Sequence, residues 1–177
     1  MFIFRIPFMN RSLELDAAIS VRLRIAEKPG PLRALAILLA HSGDSWFWGL
    51  ALALVWWFGD AAWKQRAVVM FVGIAVTAVL VQVMKIAVRR QRPAGEWGRI
   101  YRLTDPHSFP SGHAARAILL AVLGLFLGPP WLSAALLIWG PLVALARVAM
   151  GLHYVSDVLA GALVGALIAL VIGGITM

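Results

Sequence analysis

The sequence has no cysteine and few charged residues among its 177 positions. Without cysteine there is no disulfide bond, no thiolate metal ligand and no cysteine nucleophile. Charged residues make up 14% of the chain and apolar residues 62%, whereas soluble domains have about 25% and about 45–50%. Because the length also suits one domain, these figures exclude a soluble globular domain, a disordered chain, a coiled coil and a disulfide scaffold.

Acidic residues are scarce as well, since the chain has 8 Asp and Glu against 16 Lys and Arg and a formal net charge of +8. A nucleic-acid partner is excluded, because the stretch from Ala114 to Met177 has only three charged residues. The cations gather in two stretches beside apolar runs, where we expect them to meet membrane lipids. They are Arg5, Arg11, Arg22, Arg24, Lys28 and Arg33, and then Lys85, Arg89, Arg90, Arg92, Arg99 and Arg102.

Long apolar runs dominate the rest of the chain. They are continuous and not alternating, which favours helices over the strands of a membrane barrel. A helix needs about 20 apolar residues to cross the hydrocarbon. The sequence therefore predicts an all-α integral membrane helix bundle with about five transmembrane helices, over residues 46–58, 66–88, 111–128, 131–150 and 155–175.

The N-terminal part differs from these runs, so we divide the chain into residues 1–45, an amphipathic interfacial segment, and residues 46–177, the transmembrane domain. Leu13–Lys28 mixes apolar and charged residues, which predicts an amphipathic helix on the membrane surface. Leu32–Ala40 is too short to be assigned, and whether it enters the membrane stays open. A signal peptide is not expected, because Arg5 and Pro7 interrupt the first apolar residues.

Five spans place the N-terminus, the loop of residues 89–110 and the turn at Gly151 on one membrane face. That face carries nearly all Lys and Arg residues, so the positive-inside rule assigns it to the cytoplasm. A further crossing at residues 32–40 would reverse the assignment, and the sequence therefore leaves the face open.

Three polar motifs lie on this same face. Charged residues at the membrane are energetically costly, so those that are present usually have a function. The first contains Lys85 and Arg92, followed by Pro93. Seven residues are two helical turns, so we expect both cations on one helix face, where they could hold a phosphate. The alternative is a basic anchor at the membrane edge.

The second motif is Pro110-Ser111-Gly112-His113, directly before an apolar run. It is typical of a helix N-terminus, whose free N–H groups bind anions. Gly112 allows a close approach of the backbone, and His113 could then reach the bound group. The alternative is simple N-capping by Ser111.

The third motif runs from Arg147 to Asp157 and contains His153. His153 and Asp157 are four residues apart, which predicts one helix face and a carboxylate that orients the imidazole. The alternative is a buried pair that joins two helices. Taken together, three cations, two histidines, a carboxylate and a helix N-terminus suit phosphoryl transfer, whereas the cations would repel a metal ion.

The three motifs resemble the signature of the type 2 phosphatidic acid phosphatase (PAP2) family, which is related to vanadium haloperoxidases and bacterial acid phosphatases. The family pattern is Lys-x6-Arg-Pro, then Pro-Ser-Gly-His, then Ser-Arg-x5-His-x3-Asp. Order and spacing match from Lys85 to Asp157. The chain departs from the pattern at Ala146, where the family often has Ser, so it lacks a hydroxyl beside Arg147.

The resemblance implies a role for each matched residue. His153 would be the nucleophile that forms a phosphohistidine, Asp157 would orient it, and His113 would protonate the leaving oxygen and later activate water. Neither a metal nor another cofactor is expected, because cations supply the positive charge. The phosphate would be bound by Lys85, Arg92, Ser111, Gly112 and Arg147.

We therefore expect a metal-independent membrane phosphatase that hydrolyses a lipid phosphate or diphosphate. Phosphatidic acid, phosphatidylglycerol phosphate and a polyprenyl diphosphate are candidate substrates, whose tails would enter between the helices. A lipid phosphotransferase with the same site and a non-catalytic lipid-binding protein are the alternatives. We expect the protein in the bacterial inner membrane, and the sequence leaves the oligomeric state open.

Overall fold

The computed structural model describes residues 7–97 and 105–176, with side chains from residue 11 onward. The regular structure in these parts is helical, as predicted, and Arg5, Arg99 and Arg102 of the basic stretches lie outside them. Seven helices follow one another: α1 (Pro7–Arg22), α2 (Pro31–Ser42), α3 (Ser45–Phe58), α4 (Ala61–Val88), α5 (Gly112–Leu127), α6 (Pro130–Ala149) and α7 (Val155–Thr176).

Each apolar run predicted to cross the membrane forms one helix, from α3 to α7. Helices α4, α6 and α7 are long and apolar enough to cross a membrane. Helices α3 and α5 have only 14 and 16 residues, so the count of five spans stays a prediction. Large apolar side chains are exposed on the outer helix faces, as contact with lipid requires; examples are Trp57, Phe71, Val79, Leu145 and Leu163.

Helix α5 lies at the centre of the bundle and packs against α4, α6 and α7. Helix α7 comes especially close, because a Cβ on Gly161 would overlap the carbonyl oxygen of Ser111, and one on Gly165 that of Ala115. Small residues four positions apart allow this approach between membrane helices. The two helices run parallel, so the second and third motifs meet at the same end of the bundle.

The change Gly165→Ala tests this helix contact. We expect it to lower the free energy of unfolding by about 1–3 kcal/mol, because the new methyl group pushes against the backbone of α5. Gly174→Ala on the same helix is the control, since nothing lies within 4 Å of a Cβ there. Thermal melting in detergent compares the two variants, and equal melting temperatures would contradict the close packing.

Helix α1 has other bounds than the sequence predicted. It runs from Pro7 to Arg22 and not over Leu13–Lys28. The helix ends early because a tertiary contact competes with it: Ala26, which is fully buried, donates its backbone N–H to the carbonyl of Ala149 at 3.0 Å.

The polar side of α1 faces the protein. Asp16 accepts a hydrogen bond from the backbone N–H of Ser156 at 3.1 Å, and the Ser20 hydroxyl accepts one from that of Val155 at 3.0 Å. Leu15 and Ile19 are exposed on the other side. The helix is thus attached to the N-terminus of α7 by its polar residues, and its apolar residues are free to contact lipid.

Helix α2 contains the short apolar run and packs against the end of α6. Ala36 and Ala40 form a buried apolar cluster with Ala146 and Met150. Ala146, which departs from the family pattern, is thus part of a contact between two helices. The short connection from α2 to α3 also brings Asp44 to the end of the bundle where the motifs meet.

Candidate active site

The first motif does not lie on one helix face, and this part of the prediction was wrong. Lys85 is buried in the last turn of α4, but the helix ends at Val88 and Arg89 takes a left-handed conformation with φ 52°. Pro93 disfavours the helical conformation at Arg92. The chain therefore turns out of the helix between the two cations, and Arg92 reaches the site from a loop.

Both cations nevertheless meet, at the carboxylate of Asp105. The ammonium group of Lys85 forms an ion pair with Oδ2 of Asp105. Nη2 of Arg92 lies 2.8 Å from the same oxygen, and Nε of Arg92 donates to the Asp105 carbonyl at 2.7 Å. Burial opposes ionisation of Asp105, but the two cations prevail and lower the pKa of this carboxyl. An anion thus already lies where the sequence predicts phosphate binding.

His153 is 1% exposed and lies in the loop before α7. Its Nδ1 is 2.8 Å from the carbonyl oxygen of Ser108, and its Nε2 is 3.1 Å from Nη1 of Arg92. A carbonyl can only accept, so Nδ1 carries the proton and Nε2 keeps the lone pair. Burial and the cations of Arg92, Arg147 and Lys85 hold the pKa of His153 well below its usual range, so the ring is neutral.

Asp157 approaches His153 less directly than the sequence predicted. Its Oδ2 is 3.6 Å from Nδ1 of His153, beyond hydrogen-bond distance, and accepts instead from the backbone N–H of Tyr154 at 2.9 Å. The reason is that α7 begins only at Val155, so the two residues do not share a helix face. The carbonyl of Ser108 takes the expected place of the carboxylate.

Arg90 ties Asp157 to helix α1. Its Nη1 is 2.7 Å from Oδ1 of Asp157, and its Nη2 is 2.7 Å from Oδ2 of Asp16. The guanidinium also lies 4.0 Å above the centre of the Tyr154 ring. The sequence assigned Arg90 to lipid headgroups, whereas its side chain is partly buried and joins α1 to the first turn of α7.

The second motif forms the predicted helix N-terminus. Ser111 is buried at the N-cap of α5, and its hydroxyl accepts from the backbone N–H of Ala114 at 3.5 Å. The Ser111 N–H donates to the Asp157 carbonyl at 2.9 Å, which joins the second motif to the third. The next N–H groups, beginning with Gly112, are those that a helix cannot satisfy internally.

His113 points from this helix toward the connection between α2 and α3. Its Nε2 lies 2.7 Å from Oδ1 of Asp44, and Nδ1 of His41 lies 3.0 Å from Oδ2 of the same carboxylate. Burial opposes ionisation of Asp44, but these two histidines hold its pKa well below the usual value. His113 therefore has a carboxylate partner from outside the three motifs.

One cavity joins these groups. It has a volume of about 170 Å³, and the walls include Lys85, Asp105, Gly112, His113 and His153. A cavity of this size is ample for a phosphate group. It continues from Lys85 along α4 to Gln82, Val81, Ala78 and Thr77.

Two further cations adjoin the cavity or its walls. Arg147 is 1% exposed at the end of α6, and its charge acts on both His113 and His153. Arg116, one turn into α5, lines the cavity and donates to the carbonyl of Gly43. Among residues 7–97 and 105–176, no three His, Asp or Glu side chains are grouped so that they could hold a metal ion.

Five charged residues at or beside the site were not predicted as such: Asp16, Asp44, Arg90, Asp105 and Arg116. None of them is a matched position of the three motifs. Their one signal is a charge next to an apolar run in a chain with little charge. That signal is shared with ordinary capping and membrane-edge residues, so it does not identify a site without the fold.

The comparisons with known proteins identify the family of this chain. A model of the PAP2 superfamily matches residues 66–175. The decaprenylphosphoryl-5-phosphoribose phosphatase of Mycobacterium tuberculosis is 31% identical over 92% of this chain and 90% of its own. The chain is a PAP2-superfamily phosphatase. An undecaprenyl-diphosphatase of Sulfolobus acidocaldarius is 30% identical to this phosphatase over 76% of the chain and 66% of its own.

Solved structures share the fold of this PAP2 phosphatase. A transmembrane PAP2-type phosphatidylglycerolphosphate phosphatase from Bacillus subtilis superposes with a TM-score of 0.77 at 24% identity, and covers 94% of this chain and 87% of its own. LpxE from Aquifex aeolicus superposes with a TM-score of 0.67 at 24% identity, and the match covers 85% of this chain and 91% of LpxE. The helix bundle is therefore that of integral membrane PAP2 proteins.

Proposed function

We propose that this PAP2 phosphatase hydrolyses the phosphate ester or diphosphate of a membrane lipid through a phosphohistidine on His153. The observation that carries the proposal is the position of Nε2 of His153. This atom carries a lone pair and lies 3.1 Å from the Arg92 guanidinium. His153 lines a cavity that also reaches Lys85 and His113. A nucleophile, phosphate-binding cations and a proton donor thus share one space.

In the first step, Nε2 of neutral His153 attacks the phosphorus atom. The Nδ1–H group continues to donate to the carbonyl of Ser108, so the positive charge that develops on the imidazole is stabilised by that oxygen and by nearby Asp157. As the P–N bond forms, the P–O bond to the lipid breaks. His113 gives a proton to the leaving oxygen, which departs as an alcohol or a phosphate.

In the second step, water attacks the phosphohistidine. His113, now neutral, accepts a proton from the water as its oxygen bonds to phosphorus. The P–N bond breaks, which returns His153 to its neutral form and releases inorganic phosphate. Over both steps one water is consumed, and the two histidines recover their initial protonation states.

The phosphate oxygens bind to cations and to the start of α5 in this proposal. Lys85, Arg92 and Arg147 neutralise the charge, and the N–H of Gly112 donates at the positive end of the helix dipole. Arg92 exchanges its contact with Nε2 of His153 for a phosphate oxygen. These donors supply the electrostatic stabilisation that other phosphatases obtain from metal ions, so the proposed reaction uses no metal and no other cofactor.

Asp105 competes with substrate for the cations in this account, because it is bound to Lys85 and Arg92. The change Asp105→Asn keeps the shape and removes the charge. We therefore expect vanadate and inorganic phosphate to inhibit this variant at concentrations about threefold to tenfold lower than for wild type.

Inhibition constants measured in detergent check this expectation. Glu96→Gln is the matched control, since Glu96 is exposed and pairs with Arg33 away from the cavity. If vanadate inhibits Asp105→Asn less strongly than wild type, the expectation is contradicted. The carboxylate would then orient the cations and would not compete with the phosphate.

A lipid substrate fits the direction of the cavity. From Lys85 it extends along α4 as far as Thr77, eight residues or about 12 Å along the helix axis. This direction leads from the charged end of the bundle toward its apolar middle, as a lipid tail would run. Phosphatidic acid, phosphatidylglycerol phosphate and a polyprenyl diphosphate are the proposed substrates, and the inner membrane of a bacterium is the proposed location.

A panel of these three lipids tests the proposed function. Purified protein in detergent with EDTA is expected to release phosphate or dephosphorylated lipid from at least one of them, as measured by mass spectrometry. Release that requires an added divalent metal would contradict the metal-independent mechanism. A folded protein that hydrolyses none of the three would contradict the proposed substrate class.

A further inference from the structure

A second histidine–carboxylate pair lies at the site, formed by His113 and Asp44. Nε2 of His113 is 2.7 Å from Oδ1 of Asp44. His113 lies on α5 and Asp44 in the connection between α2 and α3, 69 positions away in the sequence, so the pair exists only in the folded bundle. A Cβ on Gly43 would lie 3.3 Å from Cδ2 of His113. The Cδ2–Nε2 edge of the ring therefore faces the connection between α2 and α3.

Asp44 does not serve as an ordinary helix cap. It stands at the N-cap of α3, where an Asp side chain commonly accepts from a backbone N–H of the first turn and contributes about 1 kcal/mol. Here no such hydrogen bond is formed. One carboxylate oxygen binds His113, and the other binds His41 at 3.0 Å and the indole N–H of Trp46 at 3.3 Å.

Two arginines contribute positive charge at His113. Arg116 from α5 and Arg147 from α6 both act on the imidazole and oppose a positive charge on it. Arg116 in addition donates to the carbonyl of Gly43, which holds the connection in place. Asp44 is the carboxylate that faces this ring, and its negative charge acts against the effect of the two guanidinium groups.

We propose that Asp44 is a positioning residue that fixes the tautomer of His113 and stabilises its protonated form. This inference rests on the proposed function, in which His113 gives a proton to the leaving oxygen. Because Nε2–H donates to Asp44 throughout, Nδ1 is the atom that exchanges the proton. Nδ1–H protonates the leaving oxygen as the P–O bond breaks, and Nδ1 accepts a proton from water as the phosphohistidine is hydrolysed. Asp44 itself stays ionised.

The leaving group of the substrate distinguishes this role from a structural one. An alkoxide such as that of short-chain phosphatidic acid needs a proton to depart, whereas p-nitrophenolate does not. For Asp44→Asn we expect kcat/KM to fall about 100-fold with phosphatidic acid, and no more than about fivefold with p-nitrophenyl phosphate. The ratio kcat/KM reports the phosphorylation step, so the later hydrolysis does not mask the difference.

Two further variants sharpen the test. Asp60→Asn is the matched control, since Asp60 caps α4 by accepting from the backbone N–H of Trp63 and does not line the cavity; it is expected to keep both kcat/KM values within about threefold of wild type. In a His113→Asn background, Asp44→Asn should cause no further loss, since a positioning residue acts through the group it positions. Heteronuclear NMR of histidine-labelled protein adds a readout that does not depend on turnover. The fraction of His113 in the Nε2–H tautomer should be lower in Asp44→Asn than in wild type.

Equal losses with both substrates, or an unchanged tautomer in Asp44→Asn, would overturn the role of Asp44. These results are distinct from a failure of the proposed function, in which the wild-type protein itself releases no phosphate. If Asp44→Asn does not fold, Asp44→Glu keeps the charge and is expected to retain the wild-type ratio between the two substrates. A changed ratio in folded Asp44→Glu with an intact His113 tautomer would also overturn the inference.

Discussion

Replacing His153 with alanine is expected to lower kcat by about 10⁴-fold or more, because the reaction then lacks its nucleophile. Among the described residues, the other histidine that lines the cavity is His113, which the proposed mechanism uses for proton transfer. Protein stability should change much less than activity. Phosphate release from the preferred lipid, measured together with thermal melting in detergent, separates the two effects.

His107→Gln is the matched control for this experiment. His107 lies in the loop that pairs with Gln91 beside the site, yet it does not line the cavity. We expect this variant to keep activity within about threefold of wild type. A His153→Ala protein that still turns over substrate at a tenth of the wild-type rate would contradict the assignment of the nucleophile.

The change Arg92→Lys is expected to lower kcat/KM by about 10²–10³-fold, although it keeps the positive charge. The guanidinium of Arg92 donates to four acceptors at once: the Asp105 carbonyl, the Asp105 carboxylate, the Leu152 carbonyl and Nε2 of His153. A lysine ammonium cannot reproduce this planar arrangement or bind two phosphate oxygens side by side. The loss should resemble that of an oxyanion-hole donor.

Arg89→Lys provides the comparison, because Arg89 is an exposed arginine three residues earlier whose Nε donates only to a carbonyl of its own helix. Its activity should stay near that of wild type. Steady-state kinetics over a range of lipid in mixed micelles would measure both variants. If Arg92→Lys and Arg89→Lys were equally active, charge alone would suffice, and the geometric role of Arg92 would be contradicted.

The helices and their ends were predictable because the physics that sets them is local. Continuous apolar runs require helices in a membrane, and the sequence at Ser111 and Gly112 is a recognisable helix start. The prediction that the three motifs share one face followed from counting spans between them. In the structure, Lys85 and Arg92 both bind the carboxylate of Asp105, and Arg92 also contacts His153. The first and third motifs therefore meet at the same end of the bundle.

The detailed contacts were not predictable from spacing, because they depend on where each helix ends and on the path of the loop that follows it. Spacing suggested that Lys85 and Arg92 share a helix face, but a left-handed residue at Arg89 separates them. Spacing also suggested a direct bond from Asp157 to His153, but the helix starts two residues after the histidine. In each case the residues still meet, by a route that periodicity does not reveal.

The role of the N-terminal segment could be predicted least. Its residues 1–45 carry no motif, and the match to the family model begins only at residue 66. Yet Asp16 binds the Arg90 that holds Asp157, and Asp44 binds His113. Both contacts join residues more than 60 positions apart in the sequence. Only the folded bundle shows that this segment takes part in the site.

Trapping of the phosphoenzyme tests the central claim most directly. The protein, with His113→Asn introduced to slow hydrolysis of the intermediate, is mixed with p-nitrophenyl phosphate labelled in its phosphate, because this leaving group needs no proton from His113. The mixture is quenched at alkaline pH, where phosphohistidine survives. Peptide mass spectrometry is expected to find the label on His153, and adding His153→Ala should remove it. Label on another residue, or steady turnover with no label on His153, would contradict the account.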